Sequence, residues 1–138
     1  MGEINTVFLS LGSNLGRREA LLNEAIQLMA TRRIHVVKVS SFYYSAPVGF
    51  ESTNQFCNIC VKATTELSPL KLLGVLNEIE QTLGRSTKSM SKKYADRLID
   101  IDIIFYNFLS FKDEKLCLPH PEWNKRPFVY FPLIDLLD

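Results

Sequence analysis

The sequence predicts an α+β domain in which helices pack on one antiparallel sheet. Along the chain the apolar residues change between the alternating pattern of strands and the 3.6-residue pattern of helices, in the order β-α-β-β-α-β. The 138 residues, of which 46% are hydrophobic and 22% charged, have the composition of an ordinary globular protein with one core. We therefore expect residues 1–138 to form a single domain.

The first half of the chain is expected to form a strand, a helix and a second strand. Residues 6–11 are a largely apolar run, which we interpret as a buried strand that ends in a tight turn at residues 12–14. Asn14 is the expected N-cap of a helix over residues 15–30, whose apolar side chains crowd one side. Residues 36–44 are rich in β-branched and aromatic side chains and predict the second strand.

The second half is expected to complete the sheet. Residues 55–65 alternate cleanly, so that Cys57 and Ile59 would face the core while Asn58 lies on the opposite face. Ser68 and Pro69 begin a second helix, which Gly84 ends. Residues 98–106 alternate again, and an apolar stretch at 129–137 is expected to form a short helix on the domain. This order is the split βαβ, or ferredoxin-like, arrangement.

The charge balance and the apolar runs exclude several classes of function. Sixteen Lys and Arg against fifteen Asp and Glu give a net charge of +1, so electrostatics offer no reason to expect a nucleic acid or a membrane surface as partner. No apolar run approaches the roughly 18–20 residues of a membrane span, and the N-terminal residues do not resemble a signal peptide. We therefore expect a cytoplasmic protein.

The three cysteines are interpreted as thiols. Cys57 and Cys60 form a CxxC pattern, but they lie in a predicted strand, where residues three apart point to opposite faces. No second pair of cysteines or histidines has the spacing of metal ligands. We expect both side chains to fill the core.

Two carboxylates lie two residues apart in an otherwise apolar strand. Asp100 and Asp102 would project from one face, where like charges repel. Such a pair is stable if one carboxyl is protonated, if cations neutralise both, or if the face is open to water. We favour a shared Mg²⁺ site, because hard cations prefer carboxylate oxygen and because Arg97 and a basic loop precede the pair. An exposed polar strand face is the alternative.

The basic loop spans residues 85–97 and contains five basic residues, with Asp96 as its one acidic residue. We interpret it as a lid that closes over polyphosphate and excludes water. The ordinary alternative is a solvated loop.

Aromatic and amide side chains lie together on the mixed face of the 55–65 strand. Phe56 and Asn58 could stack on a flat heterocycle and hydrogen-bond its edge, and Phe128 is a candidate for the other side of such a sandwich. The same pattern also occurs on half-buried sheet faces that bind nothing.

Polar residues on the second helix and near the end of the chain are weaker candidates. Asn77 and Glu80 are three apart on the helix, away from its apolar stripe. His120 and Arg126 could bind phosphate. Simple exposure to solvent is the alternative for all four.

The chain resembles the 6-hydroxymethyl-7,8-dihydropterin pyrophosphokinase family of folate biosynthesis over nearly its whole length. The resemblance rests on seven segments in order, namely LGSNLG at 11–16, SFY at 41–43 through PVG at 47–49, FCN at 56–58, EQTLGR at 80–85, RLIDIDII at 97–104, LPHP at 118–121 and RPF at 126–128. It implies a ferredoxin-like fold, in agreement with the pattern of apolar residues.

The resemblance also implies an activity and a set of site residues. The enzyme would transfer a diphosphate from ATP to the hydroxymethyl group of the dihydropterin and release AMP, with two Mg²⁺ ions bound by Asp100 and Asp102 and with Arg97 as a third catalytic residue. The pterin would be bound by Ser45, Ala46, Pro47, Val48, Phe56, Asn58 and Phe128. ATP would be bound by Asn77, Glu80, Arg85, Lys93, Arg97, Ile103, Lys115, Leu118, His120 and Arg126. A functional link to dihydropteroate synthase is implied as well.

Two other functions remain open from the residues alone. A different two-metal phosphoryl or nucleotidyl transferase would also place paired aspartates on a ferredoxin-like sheet, but it would not need the aromatic residue and the amide of the 55–65 strand. A non-catalytic sensor of small molecules could share the topology, but it would not need Asp100 and Asp102 together.

Overall fold

A computed structural model describes residues 3–14, 17–46, 55–84 and 99–137. Their elements are, in chain order, β1 (Asn5–Ser13), α1 (Arg18–Ala30), β2 (Ile34–Val39), β3 (Tyr43–Ser45), β4 (Phe56–Thr65), α2 (Pro69–Gly84), β5 (Asp100–Tyr106), β6 (Phe111–Lys112), β7 (Cys117–Leu118), a 3-10 turn (Trp123–Lys125) and α3 (Pro127–Asp135). The basic 85–97 loop, and with it the expected lid, lies outside the described residues.

The main sheet is antiparallel, with the strand order β2-β4-β1-β5 and with β3 paired to β4 beyond the end of β2. The two central strands, β1 and β4, are therefore not neighbours in the sequence. Helix α1 connects β1 to β2, helix α2 follows β4, and both helices lie on the same face of the sheet. This is the ferredoxin-like topology, so the predicted fold class is confirmed. Strands β6 and β7 form a separate hairpin.

The two faces of the sheet are covered by different helices. Alternate residues of the central strands, such as Leu11 and Ile59, belong to the main core with Leu22 of α1 and Leu76 of α2. On the opposite face, α3 packs against a smaller core that consists of Cys60, Ile104, Val129, Leu133 and Leu136. The alternation predicted for the 55–65 strand is confirmed, because Cys57 lies in the first core and Cys60 in the second.

Helix α2 begins and ends at the predicted residues. The hydroxyl of Ser68 accepts a hydrogen bond from the backbone N–H of Lys71 at 3.4 Å, which is the geometry of an N-cap. Leu72, Leu76 and Ile79 are buried along one side of this helix. The apolar stretch near the C-terminus is also helical, although α3 begins two residues earlier than predicted, at Pro127.

The predicted turn at residues 12–14 and the Asn14 cap are wrong. Strand β1 continues through Ser13, because Gly12 pairs with both β4 and β5 and Ser13 pairs with Cys57 of β4. Helix α1 begins only at Arg18, and the residue at its N-cap position, Arg17, makes no capping bond with its side chain. Asn14 is 1% exposed and directly follows the last residue of β1.

The predicted strand over 36–44 is two strands. Strand β2 ends at Val39, which pairs with Val61, and β3 resumes the pairing at Tyr43, opposite Asn58. Ser40 makes the break possible, since its hydroxyl accepts the backbone N–H of Cys60 at 2.9 Å. Its own N–H donates to the carbonyl of Cys60.

The burial of the cysteines gives a testable difference in reactivity. Cys60 has no exposed surface, and burial raises the pKa of its thiol to about 12, while burial also raises the pKa of Cys57. The thiolate is the reactive form, and Cys117 is partly exposed. In the folded protein at pH 8, we expect iodoacetamide to modify Cys117 first, with Cys57 and Cys60 protected until the chain unfolds. Peptide mass spectrometry measures each site, and modification of Cys60 as fast as Cys117 would show that this interior is not closed.

Candidate active site

The candidate site is a row of residues that crosses the sheet on the face opposite α1 and α2. In the register of the strands, Tyr43 lies opposite Asn58, Asn58 lies opposite Gly12, and Gly12 lies opposite Asp100. Paired residues of antiparallel strands project from the same face. The row therefore places Asn58 and Asp100 on the same face of the sheet, two strand spacings or roughly 10 Å apart.

A second row lies two residues further along the strands. Cys60 is paired with Ser10, and Ser10 with Asp102. Helix α3 covers the Cys60 end of this row, where the thiol donates a hydrogen bond to the carbonyl of Val129 at 3.5 Å. Asp100 and Asp102 are only half-buried. The two carboxylates therefore share one face of β5 as predicted, beside the part of the sheet that α3 covers.

Asn58 is the buried polar residue of the first row. It is 5% exposed, and its Oδ1 atom has no hydrogen-bond partner among the described residues. An unsatisfied buried acceptor costs about 1–3 kcal/mol, so a ligand that donated a hydrogen bond to this oxygen would recover stabilisation. The orphaned oxygen fits a site for a flat ligand with N–H groups on its edge.

Aromatic side chains lie near Asn58 on the same side of the sheet. Phe56 is half-buried two residues before Asn58, and Ser45 is its partner on β3. Phe128 is half-buried at the start of α3, and the guanidinium carbon of Arg126 lies 5.8 Å from the centre of its ring. The structure thus places the predicted aromatic pair on the side of the sheet that carries Asn58.

The start of α1 is tied to the strands that hold Ser45 and Phe56. The Tyr44 hydroxyl donates a hydrogen bond to Glu19, and Arg18 donates one to the carbonyl of Gln55 at 2.9 Å. The bond from Tyr44 lowers the pKa of Glu19, and the same bond raises the pKa of Tyr44 to about 12. These contacts hold β3 and the beginning of β4 against the helix.

His120 and Arg126 lie near the acidic end of the row. Burial lowers the pKa of His120 below its ordinary value, and the positive charge of Arg126 lowers it further. The carboxylates of Glu122 and Asp100 oppose this shift. Nδ1 of His120 accepts the backbone N–H of Glu122 at 3.0 Å, which places the proton of the neutral ring on Nε2. The structure therefore places the His120 imidazole within the electrostatic influence of both Asp100 and the Arg126 guanidinium.

Glu80 connects α2 to the strand that carries the two aspartates. Its Oε2 atom accepts the backbone N–H of Ile101, the residue between Asp100 and Asp102, at 2.6 Å. Among the strands of the described residues, β5 is at the edge of the sheet, and this N–H bonds the carboxylate rather than a further strand. The carboxylate thereby holds the beginning of β5 in place.

The remaining predicted residues are distributed as follows. Ile103 and Leu118 are each 2% exposed in the main core, so their side chains present no open surface to an adenine ring, and that contact stays a prediction. Asn77, Ala46 and Lys115 are exposed, the last in the turn between β6 and β7. Five further predicted residues lie outside the described part of the chain, namely Pro47, Val48, Arg85, Lys93 and Arg97.

The acidic pair fits one kind of metal. No cluster of three or more His, Cys, Asp or Glu side chains that could hold an ion exists within residues 3–14, 17–46, 55–84 and 99–137. Mg²⁺ needs few protein ligands, because it keeps several waters and is commonly bound by one or two carboxylates together with substrate phosphates. The donor set therefore fits Mg²⁺ that arrives with a nucleotide, and it does not fit a structural zinc site.

Within the described residues, none of the helices combines the length and the hydropathy that a membrane span requires.

The fold and the site define a class: a ferredoxin-like α+β protein that carries a buried amide and a pair of carboxylates on the same face of its sheet. The chain belongs to the 7,8-dihydro-6-hydroxymethylpterin-pyrophosphokinase (HPPK) family, whose model matches residues 8–138.

Named relatives agree with this membership. The 2-amino-4-hydroxy-6-hydroxymethyldihydropteridine pyrophosphokinase of Porphyromonas gingivalis is 43% identical over 131 residues, which cover 94% of this chain and 89% of that protein. The bifunctional protein FolKE of Lactococcus lactis subsp. lactis is 43% identical over 136 residues, which cover 98% of this chain. The chain spans only 38% of the length of that bifunctional relative.

Solved structures support the fold. A crystal structure of Plasmodium falciparum HPPK-DHPS with pterin and p-hydrobenzoate superposes with a TM-score of 0.71 at 16% identity. The match covers 98% of this chain and 41% of that one.

The contact between Glu80 and Ile101 makes a testable prediction. Glu80→Ala removes the acceptor of a partly buried N–H, so we expect the free energy of unfolding to fall by about 1–3 kcal/mol. Glu80→Gln retains an acceptor oxygen and should cost less than half as much. Urea denaturation measures the free energy of unfolding of both variants. The control is Glu78→Ala, since Glu78 is on the same helix as Glu80 and forms an exposed ion pair with Arg32. Equal losses in the Ala and Gln variants would contradict a role as backbone acceptor.

Proposed function

We propose that this chain transfers the terminal diphosphate of ATP to the hydroxymethyl group of 6-hydroxymethyl-7,8-dihydropterin. The products would be AMP and the pterin diphosphate, a step in tetrahydrofolate biosynthesis. The observation that supports this most is the row in which Asn58 and Asp100 flank Gly12, since an amide and a carboxylate on one sheet face would suit a ligand pair of heterocycle and metal-bound phosphate. The pyrophosphokinases named among the relatives support the same reaction.

Asn58 would recognise the edge of the pterin. A carboxamide can accept from one N–H of a ring edge and donate to a neighbouring ring nitrogen, and the Oδ1 of Asn58 is the acceptor without a partner among the described residues. Phe56 and Phe128 would stack on the two faces of the ring. Ser45, Ala46, Pro47 and Val48 would complete the pocket.

Asp100 and Asp102 would hold the metal at the other end of the row. When bound there, Mg²⁺ would neutralise negative charge on the triphosphate in the transition state. The half-burial of the two carboxylates keeps them accessible to a nucleotide from the open side of the sheet.

Cationic and imidazole groups would orient the ATP phosphates. Nε2 of His120 carries the proton of the neutral ring and would donate it in a hydrogen bond to a phosphate oxygen. The guanidinium of Arg126 would add positive charge beside it. Arg97 is proposed to act at the transferred group, while the weaker ATP contacts are Asn77, Glu80, Arg85, Lys93, Ile103, Lys115 and Leu118.

The two competing functions are less well supported. A generic two-metal transferase does not need a buried amide with an unsatisfied oxygen next to its aspartates, and Asn58 is such an amide. A sensor that binds without catalysis does not need the paired carboxylates of β5.

We also propose a functional link to dihydropteroate synthase. Solved relatives carry HPPK and DHPS in one chain, and plant relatives are named folate synthesis bifunctional proteins. The cytoplasmic location and the single domain over residues 1–138 stay predictions.

The reaction is tested by mixing the protein with ATP, Mg²⁺ and the dihydropterin and by separating the nucleotides by chromatography. AMP formed only in the presence of the pterin supports the proposal. ADP as the product would indicate an ordinary kinase instead.

Asp102→Ala is expected to lower kcat by at least about 100-fold at saturating Mg²⁺. It removes a metal ligand that would supply several kcal/mol of charge stabilisation, and about 1.4 kcal/mol corresponds to a tenfold rate change. The fold should survive, because the side chain is half-buried and belongs to neither core. Steady-state kinetics and circular dichroism check both points, with Glu114→Ala in the exposed β6–β7 turn as the control. Rates near those of the wild type would contradict the metal assignment.

A further inference from the structure

Gly12 is the next-to-last residue of the central strand β1, and glycine is unfavourable within a strand. In a strand, glycine is destabilising by roughly 0.5–1 kcal/mol relative to alanine and packs no side chain, so its presence often marks a close approach of another group. Gly12 does not have the positive φ that would require a glycine. The reason for glycine at this position must therefore be the space that a side chain would occupy.

That space is occupied by Asn58. A Cβ atom built on Gly12 would lie 2.4 Å from Nδ2, 3.2 Å from Cγ and 3.6 Å from Oδ1 of the Asn58 carboxamide. The first distance is far below any van der Waals contact. By contrast, a Cβ atom at Gly74, on α2, would meet nothing within 4 Å.

The carboxamide would have to move, and the site leaves it little room to do so. Asn58 is 5% exposed and lies between Gly12 and Tyr43 in its row. The clashing atoms belong to the end of a side chain rather than to the backbone, so the strand pairing itself can survive the change. A side chain at position 12 would thus alter the site while leaving the sheet in place.

We propose that Gly12 is a positioning residue of the pterin site. Its missing side chain lets the Asn58 carboxamide lie across β1 in the orientation that meets the substrate. This inference rests on the proposed function, because it takes Asn58 as the group that recognises the pterin.

The test compares the affinity for 6-hydroxymethyl-7,8-dihydropterin in four variants. They are Gly12→Ala, Asn58→Ala, the double variant, and Gly74→Ala as the matched glycine control. Isothermal titration calorimetry is carried out with Mg²⁺ and a non-hydrolysable ATP analogue present, and thermal unfolding of each variant is measured alongside. The affinity for the ATP analogue is measured separately.

We expect Gly12→Ala to raise the Kd for the pterin at least tenfold, with a much smaller effect on the ATP analogue. In the Asn58→Ala background the clash is gone, so the same substitution should change the Kd by less than twofold. Such non-additivity is the signature of two residues in direct contact. Gly74→Ala should leave both affinities unchanged.

Three outcomes would overturn the inference. If Asn58→Ala weakens pterin binding and Gly12→Ala does not, the role of Gly12 is wrong while the proposed function stands. If neither variant weakens binding, the assignment of the pterin to Asn58 fails, and the inference fails with it. If Gly12→Ala has its full effect in the Asn58→Ala background, Gly12 acts by another route.

A folding defect has its own discriminating result. Should Gly12→Ala fail to fold, the double variant decides the question. Folding restored by Asn58→Ala supports the contact between the two residues, and continued failure to fold contradicts it.

Discussion

The register of β1 against β4 and β5 is the constraint on which the candidate site depends. Gly12 is paired with Asn58 on one side and with Asp100 on the other, so a single residue of β1 determines how far apart these two side chains lie. A slip of β5 by one residue would turn Asp100 and Asp102 toward the main core, and a slip of β1 would bring Leu11 to the open face. Moving these carboxylates into an apolar core would be costly, so the apolar pattern of the strands favours the observed register.

The two faces of the sheet differ in the helices that cover them and in the polar residues that they carry. Among the described residues, α1 and α2 cover one face with a continuous apolar core, whereas α3 covers the part of the other face above Cys60 and Ile104. The part that α3 leaves uncovered carries Asp100 and Asp102. Within the described residues, this polar area lies beside the start of α3, where Phe128 and Arg126 are in contact.

The sequence predicted those features that depend on local periodicity. The alternation of residues 55–65 placed Asn58 and Cys57 on opposite faces, and the two-residue spacing placed Asp100 and Asp102 on one face. Helix α2 was predicted to the residue, because Ser68, Pro69 and Gly84 are strong local signals.

The features that the sequence did not predict depend on contacts between distant segments. In the sequence, Gly12 indicates a turn, and only its pairing with β4 and β5 shows that it belongs to a strand. Ser40 lies in a run of β-forming residues, and the strand is interrupted there because its hydroxyl bonds the backbone of Cys60. The bond from Ile101 to Glu80 has no sequence signal, since it joins a helix to the edge of a sheet. The run of small residues in LGSN at the end of an apolar strand could have indicated the close approach at Gly12.

The central claim is that one sheet face binds both substrates, with the pterin at Asn58 and the triphosphate at Asp100 and Asp102. A crystal structure of the protein with Mg²⁺, a non-hydrolysable ATP analogue and 6-hydroxymethyl-7,8-dihydropterin tests it most directly. We expect the pterin edge hydrogen-bonded to the Asn58 carboxamide, the ring above the strands near Gly12, and metal density within coordination distance of both aspartates. A pterin bound elsewhere, or a triphosphate with no metal at Asp100 and Asp102, would contradict the account.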